Sequence, residues 1–276
     1  MQNLYLVLPG LAPGEIYGVP MSGKGVPQRL ELNAEPWDVI RIDVADNPIR
    51  VKSLFNPKKV NPSKKLLSLA NNSIVVGLGQ KVIVPAQPAS GKSTLLTNLG
   101  KEVIKGRVAT ITNLLIDERP EETLAGPKVS NINLSYMRSA KDILIGTLDT
   151  LGEVIKRVLN KKTHEVVFLD SLTRLVEVAN SVIQTENPDL PSGSGGVALS
   201  ARRFVRQILG LGNTISGGGS LTIIATCLQG GSSLEDIIYK DLKGVSNAEL
   251  FIMPLKNGGR GVDPRKSYVR NQEFIK

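Results

Sequence analysis

Short apolar runs alternate with amphipathic stretches over most of the chain. From about residue 74 onward, the runs with the length and composition of buried strands are Val82–Val84, Leu114–Ile116, Val166–Leu169, Leu221–Ala225 and Leu250–Met253. Apolar residues at intervals of three and four from Ser139 to Asn160 predict an amphipathic helix with Ser139 as its N-cap. Strands that alternate with helices are typical of crossover connections. Residues 74–276 are therefore predicted to form an α/β domain with a mainly parallel sheet.

The first part of the chain has a different pattern. Residues 1–55 are rich in proline and glycine and contain short apolar runs such as Leu4–Leu8, which predicts a small β-rich domain. Residues 56–73 are predicted to be a linker, because six basic residues and no acidic residue occur from Arg50 to Lys65, interleaved with Asn-Pro pairs. This segment is either a solvated connector or a surface that follows a phosphate backbone.

Composition narrows the classes of partner and site. The 34 Lys and Arg residues exceed the 25 Asp and Glu residues, which favours a polyanionic partner, whereas 4% aromatic residues leave few rings for base stacking. Cys227 and His164 are the single cysteine and histidine, so an intramolecular disulfide is excluded and a zinc site is disfavoured. No apolar run approaches the roughly 20 residues that span a bilayer, and we expect a cytoplasmic protein without membrane contact.

The segment Ala86–Ser93 has the features of a phosphate-binding loop (P-loop). It lies between a predicted strand and a helical stretch from Thr94 to Ile104, although Ala86 stands where such loops usually have their first glycine. In a P-loop, backbone N–H groups surround the phosphates of a nucleoside triphosphate, Lys92 reaches the β and γ phosphates, and the Ser93 hydroxyl binds Mg²⁺. The predicted nucleotide-binding residues are Pro88, Ala89, Ser90, Gly91, Lys92, Ser93 and Thr94.

Two further predicted strands end in acidic residues. Asp170 follows an apolar strand, as expected of a carboxylate that holds Mg²⁺ through its water shell. Glu118 follows another and is the candidate to polarise an attacking water, with Arg119 or Glu122 as its partner or as a sensor. Ligands bind at this edge of open α/β sheets, so Lys92, Glu118 and Arg119 are the predicted catalytic residues. The alternative is a surface loop capped by salt bridges.

Four segments resemble one known family. They are Leu-Ile-Asp-Glu-Arg-Pro-Glu-Glu at 115–122, Leu-Asp-Ser-Leu-Thr-Arg at 169–174, Gly-Gly-Ser-Leu-Thr-Ile-Ile-Ala-Thr at 218–226 and Lys-Gly-Val-Ser-Asn-Ala-Glu-Leu at 243–250. In order and spacing they resemble the motor domain of the transcription termination factor Rho family, from about Val75 to Arg270. The resemblance implies a RecA-like P-loop core in a hexameric, RNA-dependent ATPase. Such an ATPase binds ATP and Mg²⁺ between subunits and pulls RNA through its ring.

The resemblance also assigns roles to single residues. Phosphate, metal and water-activating roles fall on the P-loop and the carboxylates already named, while nucleotide sensing within or across the interface falls on Arg174 and Lys243. Ala89 replaces a second lysine of the family's P-loop, and Asp263 and Thr94 replace the aromatic residue and the methionine that flank adenine. Phe274 occupies the position of the trans-acting arginine finger, for which the candidate substitutes are Arg260, Arg265 and Arg270.

The segments expected to contact RNA also depart from the family. The central-pore loop contains a lysine in the family but none here, so phosphates would be bound through backbone N–H groups and hydroxyls. The predicted RNA-binding residues are Gly230, Gly231, Ser232 and Ser233. Near the N-terminus, Tyr5, Tyr17 and Trp37 either stack bases in a reduced oligonucleotide-binding barrel or form the core of a small β unit.

The sequence leaves two functional hypotheses open. In the first, the chain is an oligomeric, nucleic-acid-dependent ATPase, a Rho-like RNA translocase or helicase that forms a hexameric ring and acts in transcription termination. In the second, it is a catalytically weakened nucleotide-binding subunit that regulates or blocks a partner, such as a full-length Rho or RNA polymerase. A rotary-type ATPase subunit would share the core, but the segments at 169–174 and 218–226 favour the Rho family over it.

Overall fold

The molecule is built from an antiparallel sheet, a short hairpin and a large sheet flanked by helices, in that order along the chain. The computed structural model describes residues 4–12, 14–22, 26–31, 34, 36–42, 48–53, 64–118, 123–126, 128–135, 137–186, 188, 193–215, 218–256 and 258–275. Of the helices in these ranges, none has the length and apolar character needed to cross a membrane.

The N-terminal sheet confirms the β-rich character predicted for residues 1–55. Its strand order is β3-β2-β1-β4-β5, and every pair of neighbours is antiparallel. The strands are β1 (Leu4–Pro9), β2 (Glu15–Pro20), β3 (Gln28–Glu31), β4 (Asp38–Ile42) and β5 (Pro48–Ser53).

The large sheet confirms the predicted α/β core. Its order is β10-β9-β11-β13-β8-β14-β17 with β12 beside β13, and its strands are parallel except β12 and β17. After the hairpin β6 (Lys65–Leu69) and β7 (Ile74–Gly77), the elements are β8 (Lys81–Ala86), α1 (Lys92–Gly106), β9 (Thr110–Ile116), β10 (Val129–Leu134), α2 (Ala140–Lys161), β11 (His164–Asp170), α3 (Leu172–Glu186), α4 (Leu199–Gly210), β12 (Asn213–Thr214), β13 (Ser220–Leu228), α5 (Ser233–Lys243), β14 (Ala248–Glu249), β15 (Ile252–Pro254), β16 (Arg260–Val262) and β17 (Tyr268–Val269).

The predicted amphipathic helix is α2. Its N-cap is Ser139, whose hydroxyl accepts a hydrogen bond from the backbone N–H of Asp142. The apolar positions of α2 are buried against the sheet and the neighbouring helices. The interval pattern and the capping residue therefore placed both the helix and its first residue correctly.

Two predicted boundaries are wrong. Part of the predicted linker forms β6, because Leu66 and Leu67 are buried in the core beneath α1; residues 56–63 lie outside the described part of the chain. The run Leu250–Met253 is not one strand. The Leu250 N–H still donates to the Ile83 carbonyl at 2.9 Å, but the chain then leaves the sheet and Ile252 pairs with β16 in a separate hairpin.

The N-terminal sheet packs directly on the helices of the α/β core. Leu6, Leu8 and Val19 lie in the same apolar cluster as the buried residues of α2, α3 and α4. Tyr17 and Trp37 belong to this cluster and are only 6% and 2% exposed. Of the two alternatives for these rings, the structure supports a packed core, because a base cannot stack on a ring that the protein already covers.

Polar contacts hold the same interface together. The ammonium group of Lys156 on α2, itself buried, donates to the Pro20 carbonyl at 3.0 Å. Arg29 on β3 forms an ion pair of 2.8 Å with Glu186 at the end of α3, and Lys141 contacts the same carboxylate at 3.1 Å. The β-rich part is thus joined to the core by side chains of both parts.

A substitution at Gly152 tests this interface. A Cβ on Gly152 would lie 2.8 and 3.0 Å from the two methyl carbons of Val19, so Gly152→Ala pushes the N-terminal sheet away from α2. We expect it to lower the free energy of unfolding by about 1–3 kcal/mol in chemical denaturation, although alanine is the better helix former. Gly210→Ala on α4 is the control, because its Cβ would meet Val245 at an ordinary 3.9 Å. Equal stability of the two variants would contradict the close packing.

Candidate nucleotide site

The loop between β8 and α1 has the backbone shape of an anion-binding loop. Ala89 and Gly91 both have positive φ angles, of 59° and 89°, whereas α1 begins directly at Lys92. Such turns direct successive N–H groups to one side, and the helix N-terminus adds its own free N–H groups there. The loop borders a cavity of about 530 Å³, which is lined by Gln87, Pro88, Ala89, Ser90, Gly91, Lys92, Ser93, Thr94, Asp117, Glu118, Arg174 and Leu228. Every predicted nucleotide-binding residue is in this lining.

Lys92 lies between two carboxylates at the floor of the cavity. Its Nζ is 2.7 Å from Asp170 Oδ1 and 2.9 Å from Glu118 Oε1. Burial acts against the charged form of Lys92, but the two carboxylates outweigh it and raise the pKa of the ammonium group. The structure therefore brings together the lysine and the two acids that three separate stretches of sequence predicted.

Asp170 is the most buried member of this group. It ends β11 with no exposed surface, and the Thr226 hydroxyl on the adjacent strand β13 donates to its Oδ1 at 2.5 Å. Burial raises the pKa of Asp170 to about 6, although Lys92 and Thr226 both favour the ionised form. Its second oxygen, Oδ2, is buried and has no hydrogen-bond partner among the described residues.

The donor set fits Mg²⁺ bound together with phosphates. The unpartnered Oδ2 of Asp170 can accept a hydrogen bond from a metal-bound water, and Ser93 lines the cavity next to Lys92. Within the described ranges, no group of three or more His, Cys, Asp and Glu side chains could hold a metal ion by itself. Mg²⁺ does not need one, because it is usually held by one or two protein oxygens, phosphates and waters.

Glu118 projects from the end of β9. The preceding residue, Asp117, has a φ of 54°, and its N–H donates to the Leu134 carbonyl at the end of β10, which fixes the turn. This turn leaves the Glu118 side chain at the cavity, where it contacts Lys92. Arg119 and Glu122 lie outside the described residues, and their predicted roles stay predictions.

The two predicted sensor residues occupy different places. Arg174 on α3 lines the cavity, and its hydrogen bond of 2.8 Å to Glu177 raises the pKa of the guanidinium group. Lys243, at the end of α5, is not part of the cavity lining. Its ammonium group lies 3.4 Å from the buried carboxylate of Glu249 and over the rings of Tyr239 and Tyr268. With half of its side chain exposed, Lys243 faces the surface of the subunit.

The three candidate substitutes for the arginine finger also differ. Arg260 Nε donates to the Ser90 carbonyl at 2.8 Å, so this residue contacts the P-loop of its own chain. Arg270 forms a side-chain hydrogen bond with Tyr268. Arg265 is exposed, and within the described part of the chain its guanidinium has no hydrogen-bond or ion-pair partner. The side chain of Phe274 is not among those described.

The predicted RNA-binding loop forms hydrogen bonds with α5, the helix that follows it. The N–H of Gly230 donates to Asp236 at 3.1 Å, and that of Gly231 donates to Glu235 at 2.9 Å. The Ser232 hydroxyl caps α5 by accepting from the Glu235 N–H at 3.2 Å. Carboxylates thus occupy the two amide groups that were predicted to bind phosphates of RNA.

Sequence reasoning missed two contributors to the site. Thr226 supports Asp170, and the only signal for it was a hydroxyl residue within the apolar run of β13. Gln87 lines the cavity, and its side chain lies beside Gly230. No pattern in the sequence indicated that this P-loop residue would reach the predicted RNA-binding loop.

Comparison with known proteins identifies the family. No protein-family model matches the chain. Transcription termination factor Rho of Streptobacillus moniliformis is 31% identical over 212 residues, which is 72% of this chain and 49% of that protein. Rho of Bacillus subtilis is 32% identical over 216 residues, covering 72% and 48%, and Rho of Escherichia coli K12 is 30% identical over 240 residues, covering 83% and 56%. The chain belongs to the Rho family.

The Rho relatives match through their ATPase portion, and the chain spans about half of their length. Two solved structures share its fold. An ATPase of a bacterial type III secretion system superimposes with a TM-score of 0.67 at 18% identity, over 83% of this chain and 71% of that one. The ATPase EscN of enteropathogenic E. coli superimposes with a TM-score of 0.66 at 16% identity, over 99% and 77%. The predicted RecA-like fold is thereby confirmed.

A substitution at Thr226 tests the support of Asp170. The hydrogen bond from Thr226 stabilises ionised Asp170 more than the protonated form, so it contributes more above the folded-state pKa of about 6 than below it. We expect Thr226→Val to lower the free energy of unfolding, measured in a metal chelator, by about 1–2 kcal/mol at pH 8 and by much less at pH 5.

Thr222→Val on the same strand is the control for Thr226→Val. The Thr222 hydroxyl accepts from the Gly79 N–H at 2.8 Å, a bond that involves no titrating group. Its loss of stability should be the same at both pH values. Equal pH dependence of the two variants would contradict the assignment of the Thr226 contact.

Proposed function

We propose that this chain binds ATP with Mg²⁺ at the P-loop cavity and hydrolyses it, as one subunit of a Rho-like ring that acts on single-stranded RNA. The observation that carries the proposal is the position of Lys92, which is held at the cavity floor between Asp170 and Glu118. Phosphoryl transfer in P-loop ATPases uses a lysine that contacts the phosphates, an acid that helps to hold Mg²⁺ and a group that positions the attacking water, and these three side chains would supply those parts.

The geometry of the site indicates how its residues would act. The N–H groups of the loop and of the first turn of α1 would bind the phosphates, and the ammonium group of Lys92 would exchange its carboxylate contacts for phosphate oxygens. Glu118 would then be free to accept a proton from the attacking water. Mg²⁺, held by Ser93 and by water on Asp170, would neutralise the charge that develops on the phosphates.

Ring assembly would complete the site from a neighbouring subunit. Of the three candidate arginines, Arg265 is exposed and has no side-chain partner among the described residues, which suits a group that works across an interface. Lys243 is half exposed and held in place by Glu249, which suits a sensor at the same kind of boundary. In this proposal the ring is a homo-oligomer, hexameric like the family that the sequence resembles.

A second candidate function is that of a regulatory subunit. It is favoured by the pore loop, since no lysine or arginine occurs in Gln229–Ser233 and the amides of Gly230 and Gly231 already hold carboxylates. A ring with such loops would hold RNA phosphates weakly. In this case the chain would bind nucleotide and assemble with a full-length Rho or with RNA polymerase, without translocating RNA.

Hydrolysis assays separate the two functions. The purified chain should hydrolyse ATP faster when single-stranded RNA is added, and Glu118→Gln should abolish hydrolysis while keeping nucleotide binding. Lys92→Ala should weaken binding of a fluorescent ATP analogue by at least tenfold, because it removes a charge-assisted contact to phosphate. Nucleotide binding without hydrolysis, with or without RNA, would reject the motor function and support the regulatory one.

A lysine in the pore loop should strengthen RNA binding. Ser233 is the last residue of the predicted RNA-binding loop and the first of α5, so Ser233→Lys adds a cation there. We expect several-fold tighter binding of single-stranded RNA at low salt, measured by fluorescence anisotropy, with a steeper salt dependence. Asn160 is exposed near the end of α2, next to the start of β11, whereas the pore loop follows the end of the parallel strand β13. Asn160→Lys is therefore the control for a general effect of charge. Equal gains in both variants would argue against a pore-loop contact.

A further inference from the structure

The P-loop of this chain needs support from outside the loop. Ala89 has a φ of 59°, which a residue with a side chain rarely adopts, and Ala86 stands in place of the usual first glycine. The lysine that the family has at the position of Ala89 is also missing, which removes one attraction for phosphate. Another part of the chain must therefore help to keep the loop in its binding shape.

Arg260 on β16 provides three contacts at this point. Its Nε donates to the Ser90 carbonyl at 2.8 Å, and its side chain covers Gly91, where a Cβ would lie 2.6 Å from Nε and 2.7 Å from Cγ. Its own carbonyl accepts from Asn98 Nδ2 at 3.0 Å, which ties β16 to the helix that the P-loop begins. The hairpin of β15 and β16 is thus fastened to both the loop and α1.

These contacts fix the direction of one peptide group. In a trans peptide the C=O and the N–H point in opposite directions. Because Arg260 binds the Ser90 carbonyl from outside the loop, the N–H of Gly91 in the same peptide group is turned away from Arg260. Arg260 is not in the cavity lining, whereas Ser90 and Gly91 are. The opposite side of this peptide group is the cavity side.

We propose that Arg260 is a positioning residue for nucleotide binding, which holds the Ser90–Gly91 peptide group with its N–H toward the phosphates of the nucleotide in its own subunit. The inference rests on the proposed binding of ATP. This role distinguishes Arg260 from Arg265 and Arg270, because a side chain bound to its own P-loop cannot act on a neighbouring nucleotide site at the same time. It also adds a positive charge beside a loop that has lost one.

Arg260→Met tests the proposal, since methionine keeps the apolar stem over Gly91 but removes the donor and the charge. The readout is the affinity for a fluorescent ATP analogue at protein concentrations where the chain is monomeric, with the unfolding temperature measured in parallel. We expect roughly tenfold weaker binding, as for the loss of a charge-assisted hydrogen bond. If hydrolysis occurs, KM should rise while kcat stays near that of the unmodified chain.

The matched control is Lys256→Met, which removes a positive charge from the exposed tip of the same hairpin. It should bind the analogue within twofold of the unmodified chain. Asn98→Ala, which releases the backbone of Arg260, should weaken binding to an intermediate degree and serves as the test if Arg260→Met does not fold.

Four results would overturn the inference. Unchanged affinity in Arg260→Met would show that the contact does not position the loop. A loss that appears only at concentrations where rings form would assign Arg260 to a neighbouring site instead. A loss in Lys256→Met as large as that in Arg260→Met would show a general effect of charge instead, and no binding by the unmodified chain would reject the proposed function itself, and this inference with it.

Discussion

The structure depends most on the contacts among three charged side chains, one of them buried and two partly buried. Lys92, Asp170 and Glu118 come from three different connections, and each would be costly to bury alone. Their meeting requires β8, β9 and β11 to lie in one parallel sheet with their carboxyl ends level. The register supplies this, because Asp170 lies opposite Leu115, close to the end of β9 from which Glu118 projects. The order of strands in the sheet is therefore also the condition for the site.

The residues that meet at the P-loop cavity were predicted from the sequence more completely than the strands and hairpins around them. Local patterns were sufficient for the P-loop, Asp170, Glu118 and α2, because strand, turn and helix signals lie next to one another in the chain. The split of Leu250–Met253 was not predictable in this way, since it depends on whether Leu250 or Ile252 finds a partner strand far away in sequence. Arg260 and Ser90 are 170 positions apart in the chain, so no local sequence pattern could indicate their contact.

The N-terminal sheet changes how the first part of the chain is understood. Aromatic residues in a small β-rich segment suggested a surface for bases, yet Tyr17 and Trp37 pack against α2, α3 and α4. Burying these rings removes a large apolar area from water, which gives the α/β core a second layer over its helices. The buried lysine Lys156, which reaches the Pro20 carbonyl, shows that the interface is specific in its polar contacts as well.

The P-loop and the pore loop leave adjacent strands at the same level of the sheet. The N–H of Gln229 donates to the Ala86 carbonyl at 3.0 Å, so the last bond of the β8–β13 ladder joins the first residues of both loops. Both loops begin directly at this hydrogen bond, with no additional residues between it and the sheet. A residue within either loop can be replaced singly, as Ala89 illustrates, but an insertion at the start of either loop would displace the other. At this edge of the sheet, the residue types of the two loops can therefore change more easily than the loop lengths.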